Sequence, residues 1–87
     1  MLGLVIVIID GDTFDLKITH TGNNNRYKYN TKTRIRIADI DAPELNTASG
    51  KRSKELLEKR LKDKEVRCYV QSKDTYGRIV AEVEVLN

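Results

Sequence analysis

The sequence predicts a small, mainly β barrel that carries one helix, and three observations lead there. Apolar residues alternate with polar ones in short runs, and turn dipeptides separate those runs. One stretch, Lys51 to Lys62, instead spaces its leucines for a helix.

Leu4 to Ile9 is an unbroken, mostly β-branched run, as expected of a strand buried on both faces. Asp10-Gly11 is a strong tight-turn dipeptide and reverses the chain. Phe14, Leu16 and Ile18 then alternate with Asp15, Lys17 and Thr19, which predicts a second strand with one wet face. Gly22-Asn23-Asn24-Asn25 breaks the pattern, and the polar segment from Gly22 to Asn30 reads as a mobile loop. A third strand runs from Thr31 to Ile37, with Ile35 and Ile37 inward and Arg34 and Arg36 on the opposite face. Ala42-Pro43 cannot continue it, because proline has no amide to donate to the ladder.

In the helix, Leu56, Leu57 and Leu61 form a narrow apolar stripe, and Ser49 is placed to cap the start. Glu65 to Val70 is a fourth strand, and Ser72 to Gly77 a turn. The fifth strand, Arg78 to Leu86, sets Ala81, Val83 and Val85 against Glu82 and Glu84. The order β-β-β-α-β-β is that of the OB-fold, a partly open five-stranded barrel whose face commonly binds oligonucleotides.

At 87 residues there is room for one domain, residues 1–87, and for one core. A chain of this size buries only about 60% of its unfolded surface, so its apolar residues must be placed economically. The net charge of +3 favours polyanionic partners without establishing one. A single cysteine, Cys68, rules out an internal disulfide or a cysteine-based zinc cluster; its place between Val66 and Val70 in an alternating run predicts a buried thiol. His20 is equally alone and reads as solvent-facing. The apolar N-terminus has no basic residues before it and no cleavage signal after it, and it is too short to span a bilayer.

Three loops carry acids and arginines. Asp10-Gly11-Asp12-Thr13, taken alone, is a hairpin turn; it is not an EF-hand, since Thr21 stands where the last glutamate ligand belongs. Arg36 to Glu44 ends in Asp-Ala-Pro-Glu, and Lys73 to Arg78 contains Tyr76-Gly77-Arg78. In this order and spacing the three resemble the staphylococcal nuclease family, and the resemblance runs from Val5 through Val85.

The resemblance implies roles. Asp12 and Asp41 match carboxylate ligands of a calcium ion, and Ala42 stands where the family usually has a threonine whose backbone carbonyl also ligates. Glu44 matches the residue that positions or deprotonates the attacking water. Arg36 and Arg78 match the two arginines that grip the scissile phosphate, Tyr76 a tyrosine that contacts a nucleotide phosphate, and Asp10 an acid near the metal. The residue types suit the chemistry. Calcium prefers hard oxygen ligands and polarises a phosphate, arginine forks meet the charge that develops on its oxygens, and a carboxylate takes the water's proton.

The expected function is therefore calcium-dependent hydrolysis of DNA or RNA that leaves 3′-phosphate ends. The alternative is a non-catalytic OB-fold module binding nucleic acid or protein. Lys51 to Lys64 holds seven basic residues against Glu55, Glu58 and Asp63, which reads as a solvated helix face. Arg26-Tyr27-Lys28-Tyr29 has the basic-aromatic interleaving of a single-strand contact, although loops of this composition often have no role. Family members continue past the fifth strand into further helices. The sequence ends at Asn87, which predicts exposed apolar surface, an open edge at the fifth strand, and self-association as a homodimer or lowered stability.

Overall fold

The computed structural model describes residues 1–20 and 31–86. The polar segment expected from Gly22 to Asn30, with its Arg26 to Tyr29 motif, lies outside the described residues. Five strands and one helix follow in the expected order: β1 (Leu2–Asp10), β2 (Thr13–His20), β3 (Lys32–Ile37), α1 (Ala48–Leu61), β4 (Glu65–Lys73) and β5 (Ile79–Val85). The strands close into a barrel in the order β1-β2-β3-β5-β4. All neighbours are antiparallel except β3 and β5, which run parallel. This is the mainly β, one-helix, five-stranded OB-fold barrel the sequence predicts.

Closure corrects one expectation. β5 is no edge strand, because it lies between β3 and β4 and hydrogen-bonds to both. The seam instead closes where Leu2, Gly3 and Leu4 of β1 meet Arg67, Val66 and Glu65 of β4.

Inside the barrel, Val5, Ile8, Phe14, Leu16, Ile35, Ile37, Val66, Cys68, Ile79 and Ala81 form one cluster. Leu57 and Leu61, one helical turn apart, seal it from α1, which packs against β1. Cys68 is buried as expected, and burial pushes its thiol up to about 12, which removes it as a nucleophile at neutral pH.

β1 is not buried on both faces. Opposite it, Val5 pairs with Leu16 but Val7 already pairs with Asp15, so Ile6 is an extra residue and the strand bulges. The bulge resets the alternation. Val5 and Ile8 both point inward, while Leu4, Ile6 and Val7 remain 39–40% exposed. At the same point Val5 donates to the Lys64 carbonyl at 3.0 Å and accepts from the Asp63 amide at 3.3 Å, which ties the end of α1 to the strand. Asp63, at φ 61°, makes the left-handed step out of the helix.

The helix also starts earlier than its leucines suggest. Its N-cap is Thr47, not Ser49: the Thr47 hydroxyl accepts from the Gly50 amide at 2.9 Å. Leu56 is 54% exposed and leaves the stripe to Leu57 and Leu61. On β2, Asp15 is buried rather than wet, because Arg34 on β3 sits opposite and covers it.

Candidate active site

The tight turn between β1 and β2 is made by Gly11 and Asp12, one residue later than the Asp-Gly dipeptide suggests. Asp10 shapes it by accepting the Asp12 amide on Oδ1 at 3.0 Å. Gly11 is required by space. A Cβ there would stand 2.7 Å from Cβ of Ala42 and 2.6 Å from Cβ of Ser53, so only glycine lets the turn rest on the Ala42 loop and on α1. The close approach brings Asp12 to Ala42, whose amide donates to Asp12 Oδ2 at 3.2 Å.

The other oxygen of Asp12, Oδ1, accepts from the Thr13 hydroxyl at 2.8 Å. Arg36 is set opposite Thr13 by the β2–β3 register. Its Nη2 stands 3.6 Å from Asp12 Oδ2 and 3.8 Å from Asp41 Oδ1. Two carboxylates from separate loops thus converge on a single guanidinium nitrogen. Asp12 is buried, whereas the Asp41 side chain is 99% exposed, so the corner opens to solvent through Asp41.

The charges of this corner are linked. Burial alone would raise the Asp12 carboxyl. Hydrogen bonding with Asp10, Thr13 and Ala42, and the charge of Arg36, outweigh burial and hold it below the usual carboxylate range. Asp10 moves the other way, raised by its own burial and by the neighbouring Asp12.

Glu44 belongs to the same loop, two residues beyond Ala42, and its side chain is exposed. Its backbone is held firmly, since the Glu44 carbonyl accepts from the Thr47 amide at 3.1 Å and the Thr47 hydroxyl at 2.6 Å. Gly50 packs directly on that carbonyl, leaving no room for a side chain. The N-terminus of α1 therefore fixes where the Glu44 loop begins its return. Asp39, at φ 63°, makes the left-handed turn that takes the chain out of β3 toward Asp41.

Tyr76 and Arg78 come from the β4–β5 turn. Asp74 organises it; the sequence marks this acid as part of an Asp/Gly turn between strands but not as the group that holds Arg78. It accepts the Tyr76 and Arg78 amides on Oδ1 at 3.0 and 2.9 Å and Arg78 Nε on Oδ2 at 2.6 Å. Burial would raise Asp74, but the bonds from Arg78 and Tyr76 and the charge of Arg78 together outweigh it and hold the carboxyl below the usual range. The Arg78 guanidinium lies 5.5 Å from the centre of the Tyr76 ring, a cation–π distance. The parallel register sets Ile35 beside Ile79 and Arg36 beside Val80. Both isoleucines point into the core, so Arg36 and Arg78, which flank that pair, share the outer face.

The structure therefore gathers Asp12, Arg36, Asp41 and Ala42 in one corner and Tyr76 with Arg78 beside it, while Glu44 faces solvent nearby along the chain. Among the described residues no group of three or more histidine, cysteine or acidic side chains could hold a metal. What the corner offers a cation is the two carboxylates of Asp12 and Asp41, while the Ala42 backbone meets it through its amide. Carboxylate oxygens of this kind suit a hard divalent ion, and Asp12, held ionised, fits one best.

A family model described as the staphylococcal nuclease homologue matches residues 34–87, which include the Arg36 to Glu44 loop and the Tyr76-Gly77-Arg78 turn. The chain belongs to the staphylococcal nuclease family. It is 37% identical over 81 residues to a micrococcal nuclease of Shigella flexneri, covering 93% of this chain and 41% of that protein. An uncharacterized endonuclease of Haemophilus influenzae is 37% identical over 79 residues, 91% of this chain and 39% of that one. A probable staphylococcal-like nuclease of Oryza sativa is 44% identical over 52 residues, 60% of this chain and 16% of that one. The chain thus spans about two fifths of the length of its bacterial relatives in the family. No helix among the described residues is long and apolar enough to cross a membrane.

Proposed function

We propose that residues 1–87 form a single nuclease domain that hydrolyses phosphodiester bonds of DNA or RNA, with calcium as its metal and 3′-phosphate ends as its product. The observation that carries this reading is the convergence of Asp12 and Asp41 on one nitrogen of Arg36. The kinship with a micrococcal nuclease and an endonuclease supports it. Asp12, Asp41 and the Ala42 carbonyl would hold the ion, which when bound supplies Lewis acidity toward a phosphate oxygen.

The chain's own residues supply the rest. Arg36 and Arg78 donate paired hydrogen bonds to the phosphate oxygens, and these bonds strengthen as charge gathers there during in-line attack. Glu44 takes the proton of the attacking water while the water oxygen bonds to phosphorus. The bond from phosphorus to the 5′-oxygen breaks, the leaving oxygen takes a proton from solvent, to which Glu44 returns its own, and the phosphate stays on the 3′ side. Asp74 keeps Arg78 aimed by holding its Nε, which leaves the terminal nitrogens to the phosphate.

Arg36→Ala, Glu44→Ala and Arg78→Ala should each lower single-stranded DNA hydrolysis by orders of magnitude with unchanged circular dichroism. Unaltered rates in all three would exclude the reading. Binding of single strands with no cleavage by the wild type would leave a non-catalytic module. The exposed Leu4, Ile6 and Val7 support a further element of the same reading, that the isolated chain self-associates as a homodimer. Sedimentation over a range of concentrations tests it, and a strictly monomeric chain would remove it.

A further inference from the structure

Beside the acidic corner, the same outer face of the barrel carries a second group of charges. A groove of about 630 Å³ is lined by Asp15, Lys32, Thr33, Arg34, Tyr76, Gly77 and Arg78. It shares Tyr76 and Arg78 with the site above but includes neither Asp12, Arg36 nor Asp41. Arg34 gives Nε and Nη2 to the two oxygens of buried Asp15, at 2.9 and 3.4 Å, and its hydrogen bond to Asp15 raises its already high pKa. Lys32 stands 3.8 Å from the same carboxylate with most of its side chain in solvent. Two cations thus share one buried acid, and the cluster carries an excess positive charge. Asp15 works as a brace: it fixes Arg34 by one edge of the guanidinium, while half of the Arg34 side chain stays exposed.

We infer that Lys32 and Arg34 form a subsite for a phosphate flanking the scissile one, on a strand of single-stranded nucleic acid that runs along β3 with a base against Tyr76. The inference rests on the nuclease reading for the position of the scissile phosphate. Lys32, Arg34 and Arg36 alternate on one face of β3, so their side chains leave the strand about 7 Å apart. That interval suits successive phosphates of an extended strand. A duplex would present its bases to each other, but Tyr76 is 84% exposed and offers a ring face to an unpaired base. The excess positive charge matches the phosphate, and the Arg34 fork, held by Asp15, meets it without further ordering.

The test is fluorescence anisotropy in chelator, so that nothing is cleaved, with labelled oligothymidylate of about a dozen nucleotides and with labelled thymidylate dinucleotide. Lys32→Gln and Arg34→Gln should each weaken oligomer binding by about three- to tenfold. Each should also reduce the slope of log K against log salt by about 0.7, the value for one lost single-strand phosphate contact. Because Arg34→Gln leaves buried Asp15 with only the 3.8 Å contact of Lys32, the double variant Asp15→Asn with Arg34→Gln repeats the measurement in a chain without that poorly compensated charge. In all of them the ratio of oligomer to dinucleotide affinity should fall. Lys62→Gln, an equal charge change outside the groove, should leave slope and ratio unaltered.

Equal losses from Lys62→Gln would reduce the effect to net charge and overturn the subsite. So would equal losses for oligomer and dinucleotide, or tighter binding of a duplex of the same length. Hydrolysis by the wild type is read separately. Cleavage with unaltered slopes in the Lys32 and Arg34 variants overturns the subsite alone, and altered slopes without cleavage overturn the nuclease reading alone.

Discussion

On β3, Arg34 holds Asp15 through hydrogen bonds of 2.9 and 3.4 Å, whereas Arg36 stands 3.6 Å from Asp12 and 3.8 Å from Asp41. Both arginines sit opposite β2 in the same ladder, and both face acids. At Arg34 the single acid is outnumbered by cations, and its position is settled by direct bonds. At Arg36 the acids outnumber the cation: Asp12 and Asp41 face one guanidinium, with Asp10 beside Asp12. On the proposed function, one end of the face would receive an anion and the other a cation. A phosphodiester bound together with a divalent ion needs both.

If the comparison holds, substitutions at the two ends should separate catalysis from stability. Asp12→Ala is expected to have the largest effect, abolishing calcium binding and lowering DNA hydrolysis by orders of magnitude, as calorimetry and a hydrolysis assay would record. Gly11→Ala should follow. Its new methyl group meets Ala42 and Ser53, which have no flexible ends to move, and the cost should be about 1–3 kcal/mol in urea unfolding. It should also weaken calcium binding, because the Asp12 turn would be pushed off the Ala42 loop.

Asp15→Asn is expected to cost about 1 kcal/mol, with no loss of calcium binding, since Arg34 is half exposed and can turn to water. A loss of calcium binding there would erase the distinction between the two ends.

The smallest effect should come from Asp10→Asn, read from stability against pH in chelator. The Asp10 carboxyl is raised in the folded chain, so its favourable contribution exists below its unfolded pKa and is lost as pH rises through the folded value. Asparagine keeps the acceptor for the Asp12 amide but never ionises. The variant should match the wild type in acid and exceed it slightly, by less than about 1 kcal/mol, once Asp10 would ionise. Asp12 has the opposite sign: its folded value is lowered, so its contribution is present above the unfolded pKa and disappears as pH falls through the folded one.

The barrel was legible because alternation and turn residues follow directly from the period of a strand. Phe14, Leu16, Ile35 and Ala81 are buried where alternation puts them. The failures have local causes. A bulge adds one residue and exchanges the faces of β1, and nothing in an unbroken apolar run marks where it falls. The helix cap moved to Thr47 because its hydroxyl reaches the Gly50 amide; Ser49 offered the same chemistry two residues later.

The three loop motifs point to Asp12, Arg36, Asp41, Ala42, Glu44, Tyr76 and Arg78 as candidates, and the structure brings Asp12, Arg36, Asp41 and Ala42 into one corner. The bond from Asp74 to Arg78 and the Asp15–Arg34 pair were not legible, since a carboxylate that braces an arginine looks in sequence like any turn or strand acid. An acid alternating with core residues on one strand, and an arginine alternating likewise on the next, is the signal that could have found the pair.

Calcium titration by calorimetry bears most directly on the assignment of the acidic corner, with the wild type, Asp41→Ala and Asp15→Asn measured side by side. Asp41 is exposed, so its removal should leave the fold intact. The account predicts that the wild type and Asp15→Asn bind one calcium ion each with similar affinity, and that Asp41→Ala loses binding. Wild-type affinity in Asp41→Ala would contradict it.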